Sequence, residues 1–183
     1  MQFESTTIDG LFHIRPERHA DHRGYFARTW CRDTFEQHGL EDCTRQCNVS
    51  FNHARATVRG MHLQLPPHPE AKLVRCVAGR IFDAVVDLRP DSATYLQTEH
   101  FELTAEIGNS LYIPPGLAHG FQTLTENCEV FYHMSEAYYP DLVAGYRWDD
   151  PTFGIPWPLP VKVISDRDAA LPLFEDDPRI LAA

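Results

Sequence analysis

The stretch GRIFDAVVDLR, residues 79–89, decides the fold. Phe82, Ala84, Val86 and Leu88 fall on one side of it at period two, and Ile81, Asp83, Val85 and Asp87 fall on the other. Side chains alternate across an extended strand, so the run reads as β rather than helical. Gly79-Arg80 reads as the turn that precedes it. Working outward, SLYIPPG (110–116) and CEVFYHMSE (128–136) are further strand candidates, joined through LAHGFQTLTEN (117–127). Helix signals are few. Residues 30–38 suggest one short helix ended by Gly39, and 140–147 another opened by Pro140. SDRD at 165–168 resembles a capping box before a last helical turn. Many short strands punctuated by Gly and Pro predict an all-β sandwich or barrel rather than a wound α/β sheet.

The chain has 183 residues, 43% of them apolar and 11% aromatic, which fits one globular domain spanning 1–183. No repeat, low-complexity tract or Ser/Gly linker divides it. A formal net charge of −10 argues against a nucleic-acid or anionic-membrane partner. No apolar run approaches the roughly 20 residues a spanning helix needs. The opening MQFESTTIDG is acidic and polar, unlike a signal peptide. Cys31, Cys43, Cys47, Cys76 and Cys128 are odd in number and lack zinc spacing, so they read as reduced, packed thiols of a cytoplasmic protein.

Four positions ask for a joint explanation: His62, Lys72, His119 and Tyr132. The run GNSLYIPPGLAHGFQT (108–123) resembles the second cupin motif through Gly108, Pro114, Gly116 and His119. That resemblance implies a double-stranded β-helix, or jelly roll, with a few short peripheral helices and His119 aimed into the barrel mouth. In metal-binding cupins the first motif supplies two histidines one residue apart. Here RGMHLQ (59–64) places Gln64 at the second position, with Lys72 close behind. An ammonium group repels a divalent cation and an amide is a poor ligand beside imidazole, so no metal ligand and no cofactor is assigned. The competing reading is a metal-dependent cupin isomerase or oxygenase using His62, Gln64, His68 or Glu70, and His119. Without a metal, a histidine base, a tyrosine acid, and Arg and Lys as partners for developing negative charge suit proton removal beside a carbonyl.

The blocks DHRGYF, QCNVS, RGMHLQ, AKLVRC, FDAVVDLR, YIPPGLAHGF, FYHMSEAYY and WDDPTFGIPWP occur in this order from residue 21 to 158. Together they resemble the dTDP-4-dehydrorhamnose 3,5-epimerase family, over about residues 12–175. The resemblance implies a metal-independent, cytoplasmic, homodimeric isomerase in bacterial surface-polysaccharide or antibiotic-sugar biosynthesis. Its substrate would be a nucleotide-diphospho-4-keto-6-deoxy sugar, inverted at C3, C5 or both through an enolate. By that resemblance His62 matches the base, Asp168 the carboxylate orienting it, and Tyr132 the acid on the opposite sugar face. Lys72 joins this catalytic group and, with Arg59 and His119, lines the sugar and the enolate oxygen. Arg23, Gln46 and Asn48 match nucleotide or diphosphate contacts.

The chain departs from the family on the nucleotide side. Arg28, still counted with the substrate-binding set, stands where a glutamate would help hold the base. Ala144 takes the place of an expected acidic residue, and Cys47 that of the aspartate in the usual QDN. Swapping an acceptor for donors changes base recognition, so dTDP, GDP and CDP all stay open. A catalytically silent sugar-nucleotide-binding cupin is a further alternative, which the joint presence of His62, Tyr132 and Asp168 argues against.

Overall fold

The computed structural model describes residues 1–40 and 45–177. Its strands in chain order begin with β1 (Gln2–Ser5), β2 (Phe12–Arg15), β3 (Arg18–Asp21), β4 (Gly24–Ala27) and β5 (Gln46–Asn52). There follow β6 (Val58–Gln64), β7 (Lys72–Ala78), β8 (Arg80–Asp87) and β9 (Thr98–Thr104). The last four are β10 (Ser110–Ile113), β11 (Leu117–Thr123), β12 (Cys128–Met134) and β13 (Val143–Gly145). Helices α1 (Arg32–Gln37) and α2 (Asp166–Ala169) are both short.

Two antiparallel sheets form the body, in the orders β1-β2-β10-β7-β12-β5 and β13-β6-β11-β8-β9, with β3-β4 a separate hairpin. Neighbours far apart in sequence sit side by side in both sheets, which is the jelly-roll pattern expected from the cupin-like motif. The alternation read in residues 79–89 explains how the five-stranded sheet is held. Ile81 and Val85 on β8 enter the core between the sheets, with Val74, Leu103, Leu111, Phe121 and Val130. Ala84 and Val86, one residue out of phase, pack instead with Met61, Leu63, Tyr146, Phe153 and Phe174 under the C-terminal segment. A third cluster of Ile14, Phe35, Leu73 and Tyr112 lies beneath α1, on the outer face of the six-stranded sheet. Burying a side chain of this size contributes roughly 1.5–3 kcal/mol, so both faces of β8 anchor it.

Gly79 makes the predicted turn between β7 and β8 at φ +79, a conformation an L side chain resists. The helix expected at 30–38 is α1, shorter at both ends. The helix expected at 140–147 does not form. Pro140–Leu142 make one 3-10 turn, and Val143–Gly145 then pair with β6 as β13. A β-branched residue and a glycine are poor helix formers, and pairing with β6 satisfies the backbone instead. The capping motif is as read: the Ser165 hydroxyl accepts from the Asp168 N–H at 3.0 Å at the start of α2. Cys76 and Cys128 are buried free thiols, whereas Cys47 is exposed, contrary to a packing role. Cys43 lies outside the described residues. Among those residues no helix is long and apolar enough to cross a membrane.

Candidate active site

Residues of both sheets and of α2 line a cavity of about 420 Å³. Strand β6 supplies Arg59 and His62 to it through a local irregularity. Arg59 and His62 are three residues apart and would face opposite ways in a regular strand. The pairing of β6 with β11 slips between His119↔His62 and Phe121↔Arg59, which turns both side chains inward. Gly60 makes the slip sterically feasible. Its φ is +131, and a Cβ there would sit 2.5 Å from the Gly120 Cα on β11. The glycine beside Arg59 is required because two backbones touch.

Two histidine–carboxylate pairs follow. His62 Nε2 lies 2.8 Å from Asp168 Oδ1, while Asp168 Oδ2 accepts the Gly60 N–H at 3.2 Å. Burial alone would raise the Asp168 pKa. The hydrogen bond and charge of His62, with donors from Gly60 and Ser165, outweigh it and hold the carboxyl below its ordinary value. An ionised Asp168 fixes the proton on Nε2 and leaves Nδ1 as the nitrogen that accepts another. Asp168 is therefore more than a helix cap. The second pair is His119 Nε2 with Asp83 Oδ2, also at 2.8 Å and wholly buried. Burial pushes the Asp83 carboxyl up against the opposing pull of His119 and Lys72, and its Oδ1 has no hydrogen-bond partner.

His62 and Tyr132 stand on opposite walls, since β6 belongs to the five-stranded sheet and β12 to the six-stranded one. The Tyr132 ring meets His119 edge-on at 6.4 Å between centroids. Burial first, and the nearby Asp83 charge second, push the phenol pKa up against Arg59 and a hydrogen bond from Ser50. Tyr132 therefore holds its proton at neutral pH. Lys72, 7% exposed, donates to the His62 carbonyl at 3.2 Å and pairs with Glu70 at 3.2 Å. Arg59 is steered by its Nε donating to Asn52 Oδ1 at 2.7 Å.

The cavity brings together eight of the ten residues singled out in the sequence: His62, Lys72, Tyr132, Asp168, Arg59, His119, Gln46 and Asn48. Arg23 and Arg28 are not among its lining. Arg23 is exposed on the β3-β4 hairpin, paired with Asp21 at 2.7 Å. Arg28 borders a separate hollow with Met1, Glu17, His19, Phe26 and Thr34. Ala144 is buried in β13 and does not line the cavity either. Sequence reading missed Asp83, Ser50 and Arg167, and named Glu70 only as a ligand in the metal-dependent alternative. Asp83 had a signal, being a carboxylate between Ile81 and Val85 on the face of β8 that enters the core.

The donor set does not suit a metal. Gln64, at the position of a second metal-binding histidine, is spent on backbone. Its Nε2 donates to the His68 and Ala137 carbonyls at 2.6 and 3.0 Å, and its Oε1 accepts the Tyr139 N–H at 3.0 Å. His68 pairs with Glu136 and Glu70 with Lys72, so neither turns to His62. Among the described residues no three His, Cys, Asp or Glu converge as ligands.

The family model for dTDP-4-dehydrorhamnose 3,5-epimerase matches residues 5–176. The chain belongs to that family. A dTDP-4-dehydrorhamnose 3,5-epimerase of Methanothermobacter thermautotrophicus is 41% identical over 170 residues, covering 91% of each chain. Among solved structures, the Bacillus anthracis epimerase with TDP and pyrophosphate bound superposes with a TM-score of 0.91. It is 34% identical and covers 94% of this chain and 99% of its own. The Legionella pneumophila epimerase in complex with dTDP-4-keto-L-rhamnose gives 0.91 at 32% identity, covering 98% of this chain and 96% of its own. The family resemblance and the jelly-roll expectation from the sequence both hold.

Proposed function

We propose that this member of the dTDP-4-dehydrorhamnose 3,5-epimerase family is an isomerase that inverts the carbons flanking the C4 carbonyl of a dTDP-linked 4-keto-6-deoxy sugar. The observation that carries the reading is a carboxylate-held histidine and a protonated tyrosine on facing walls of one cavity. His62, held by ionised Asp168, takes the proton from the carbon next to the carbonyl. The C–H electron pair moves into the new C=C bond and the carbonyl pair onto oxygen. Lys72 and His119 line the same cavity and meet that charge, which fixed donors stabilise better than mobile water does. Tyr132, protonated at neutral pH, returns a proton from the opposite face, and the configuration is inverted.

The dTDP nucleotide rests on the relatives with bound TDP and dTDP-4-keto-L-rhamnose. Arg28, the substitution that opened GDP and CDP as alternatives, lies outside the cavity that holds the chemistry. Cavity residues Gln46, Asn48, Arg59 and Arg167 form the polar rim available to a diphosphate and nucleoside. Assembly as a homodimer is part of the reading. Val49 and Phe51 on β5, with Tyr25 and Phe26 on the β3-β4 hairpin, are 45–70% exposed large apolar side chains that a second copy would cover. A second copy would also give the Arg23 hairpin a diphosphate to reach. A cytoplasmic setting matches a soluble nucleotide-sugar substrate. The test is turnover of dTDP-4-keto-6-deoxyglucose with a chelator present, run beside its GDP and CDP counterparts. Turnover of the dTDP sugar is expected, and turnover of only the GDP or CDP sugar would refute the nucleotide assignment.

A further inference from the structure

Glu70 is an acidic side chain inside the cavity that the reaction above leaves unused. It lines the cavity, its side chain is 10% exposed, and its partner is the Lys72 ammonium at 3.2 Å. A carboxylate beside the group that must stabilise an enolate is at first sight counterproductive. The geometry around Lys72 gives it a purpose.

Glu70 and Lys72 both reach the cavity from where the chain enters β7. The backbone between them is pinned on both sides, because the Ala71 N–H donates to Ser135 Oγ at 2.8 Å and the Ser135 N–H to the Ala71 carbonyl at 3.0 Å. An ammonium has three donors on a flexible four-carbon stem. One of those of Lys72 goes to the His62 carbonyl at 3.2 Å, and Glu70 Oε1 holds the ammonium as an ion pair at 3.2 Å. Lys72 itself lines the cavity. Asp83 on β8 is a further charged group that interacts with Lys72.

We propose that Glu70 is a positioning residue for the epimerase reaction, whose Oε1 fixes the Lys72 ammonium by ion pairing so that an ammonium N–H meets the enolate oxygen at C4. This rests on the function proposed above. The gain lies in preorganisation: a donor already aimed where charge develops has no orientational freedom to lose in the transition state.

The test compares Glu70→Ala, Glu70→Gln and Lys72→Ala, with the double variant of the two alanines. Orientation needs an acceptor, so Glu70→Gln keeps kcat within about threefold, while Glu70→Ala lowers it on the order of ten- to a hundredfold with KM little changed. The double variant is no slower than Lys72→Ala alone, because Glu70 acts through the lysine. The chain holds only two lysines, Lys72 and Lys162, so 13C-lysine NMR gives two side-chain signals, with exposed Lys162 as reference. The two ε-methylene protons of a fixed Lys72 are inequivalent in the unsubstituted chain and in Glu70→Gln, and become equivalent in Glu70→Ala. Unchanged kcat in Glu70→Ala, losses that multiply with Lys72→Ala, or a rise in KM alone would overturn the proposal. An unsubstituted chain that turns over no dTDP sugar would refute the function instead. The lysine spectrum would then still decide whether Glu70 fixes Lys72.

Discussion

Replacing Asp168 with asparagine removes one charge and little volume, and its effect follows from the geometry. Asp168 holds His62 Nε2 at 2.8 Å and the Gly60 N–H at 3.2 Å. When His62 takes the substrate proton it becomes an imidazolium beside a carboxylate. Charges about 4 Å apart at an effective dielectric of about 20 attract by about 4 kcal/mol. The His62 side chain is 35% exposed, so water screens part of this, and about half, ~2 kcal/mol, is retained. That difference alone slows proton removal about thirtyfold. Asparagine adds a second loss. Its amide N–H2 turned toward Nε2 forces the ring proton onto Nδ1, the nitrogen that must accept, and wrong-tautomer penalties of this kind are large. The expected loss is thus on the order of a hundred- to a thousandfold in deuterium exchange beside the carbonyl, read by 1H NMR in D2O, with the fold intact by circular dichroism. Retention of more than a third of the exchange rate would show that Asp168 only caps α2.

Other substitutions separate the remaining parts. Tyr132→Phe leaves the base in place but removes the opposing proton donor, so solvent deuterium still enters with retention while inverted product falls on the order of a hundredfold or more; parallel loss of both contradicts the two-wall arrangement. Gly60→Ala drives a methyl group into the Gly120 backbone and strains φ +131, so stability drops by about 3 kcal/mol or more and activity is lost with it, as a thermal melt and an assay will show. Asp87, buried under Arg89, Ser92 and Thr94, has its pKa held well below the ordinary carboxylate range despite burial. Asp87→Asn then costs about 3 kcal/mol, near 6–12 °C in Tm. The sign for pH follows. Asp87, Asp149 and Asp168 all have depressed folded values, so their contribution is complete above about pH 4 and is lost as pH falls further through those values. Asp83, with a raised value, works in the opposite sense from about pH 4 upward. Denaturant melts between pH 2 and 7 should show stability falling on the acid side, less steeply in Asp87→Asn.

Much of this was legible before any coordinates. The period-two pattern at 79–89 gives a strand whose two faces serve two cores, because alternation is a local property. His62, Asp168 and Tyr132 could be singled out together because their blocks lie in a recognisable order, and the structure brings them to one cavity although Asp168 is 106 residues from His62. What stayed hidden depends on contacts distant in sequence. The β6 slip that turns both Arg59 and His62 inward is set by Gly120 on another strand. The buried Asp83–His119 pair needs the β8–β11 register, in which His119 sits opposite Val85. Residues 143–145 read as helix because nothing local announces that β6 has an edge to fill. Arg23 and Arg28 carry the right chemistry for a diphosphate, but the hairpin takes them away from their own cavity. The Gln64 clamp on the backbone at 68, 137 and 139 is visible only in three dimensions.

The central claim is that His62 is the base of a metal-independent proton transfer. It is tested most directly by following deuterium incorporation into dTDP-4-keto-6-deoxyglucose in D2O, with chelator, for the unsubstituted chain and for His62→Asn. The account predicts incorporation at C3, C5 or both in the first and none above background in the second. Undiminished incorporation in His62→Asn, or incorporation that appears only when a divalent metal is added, would contradict it.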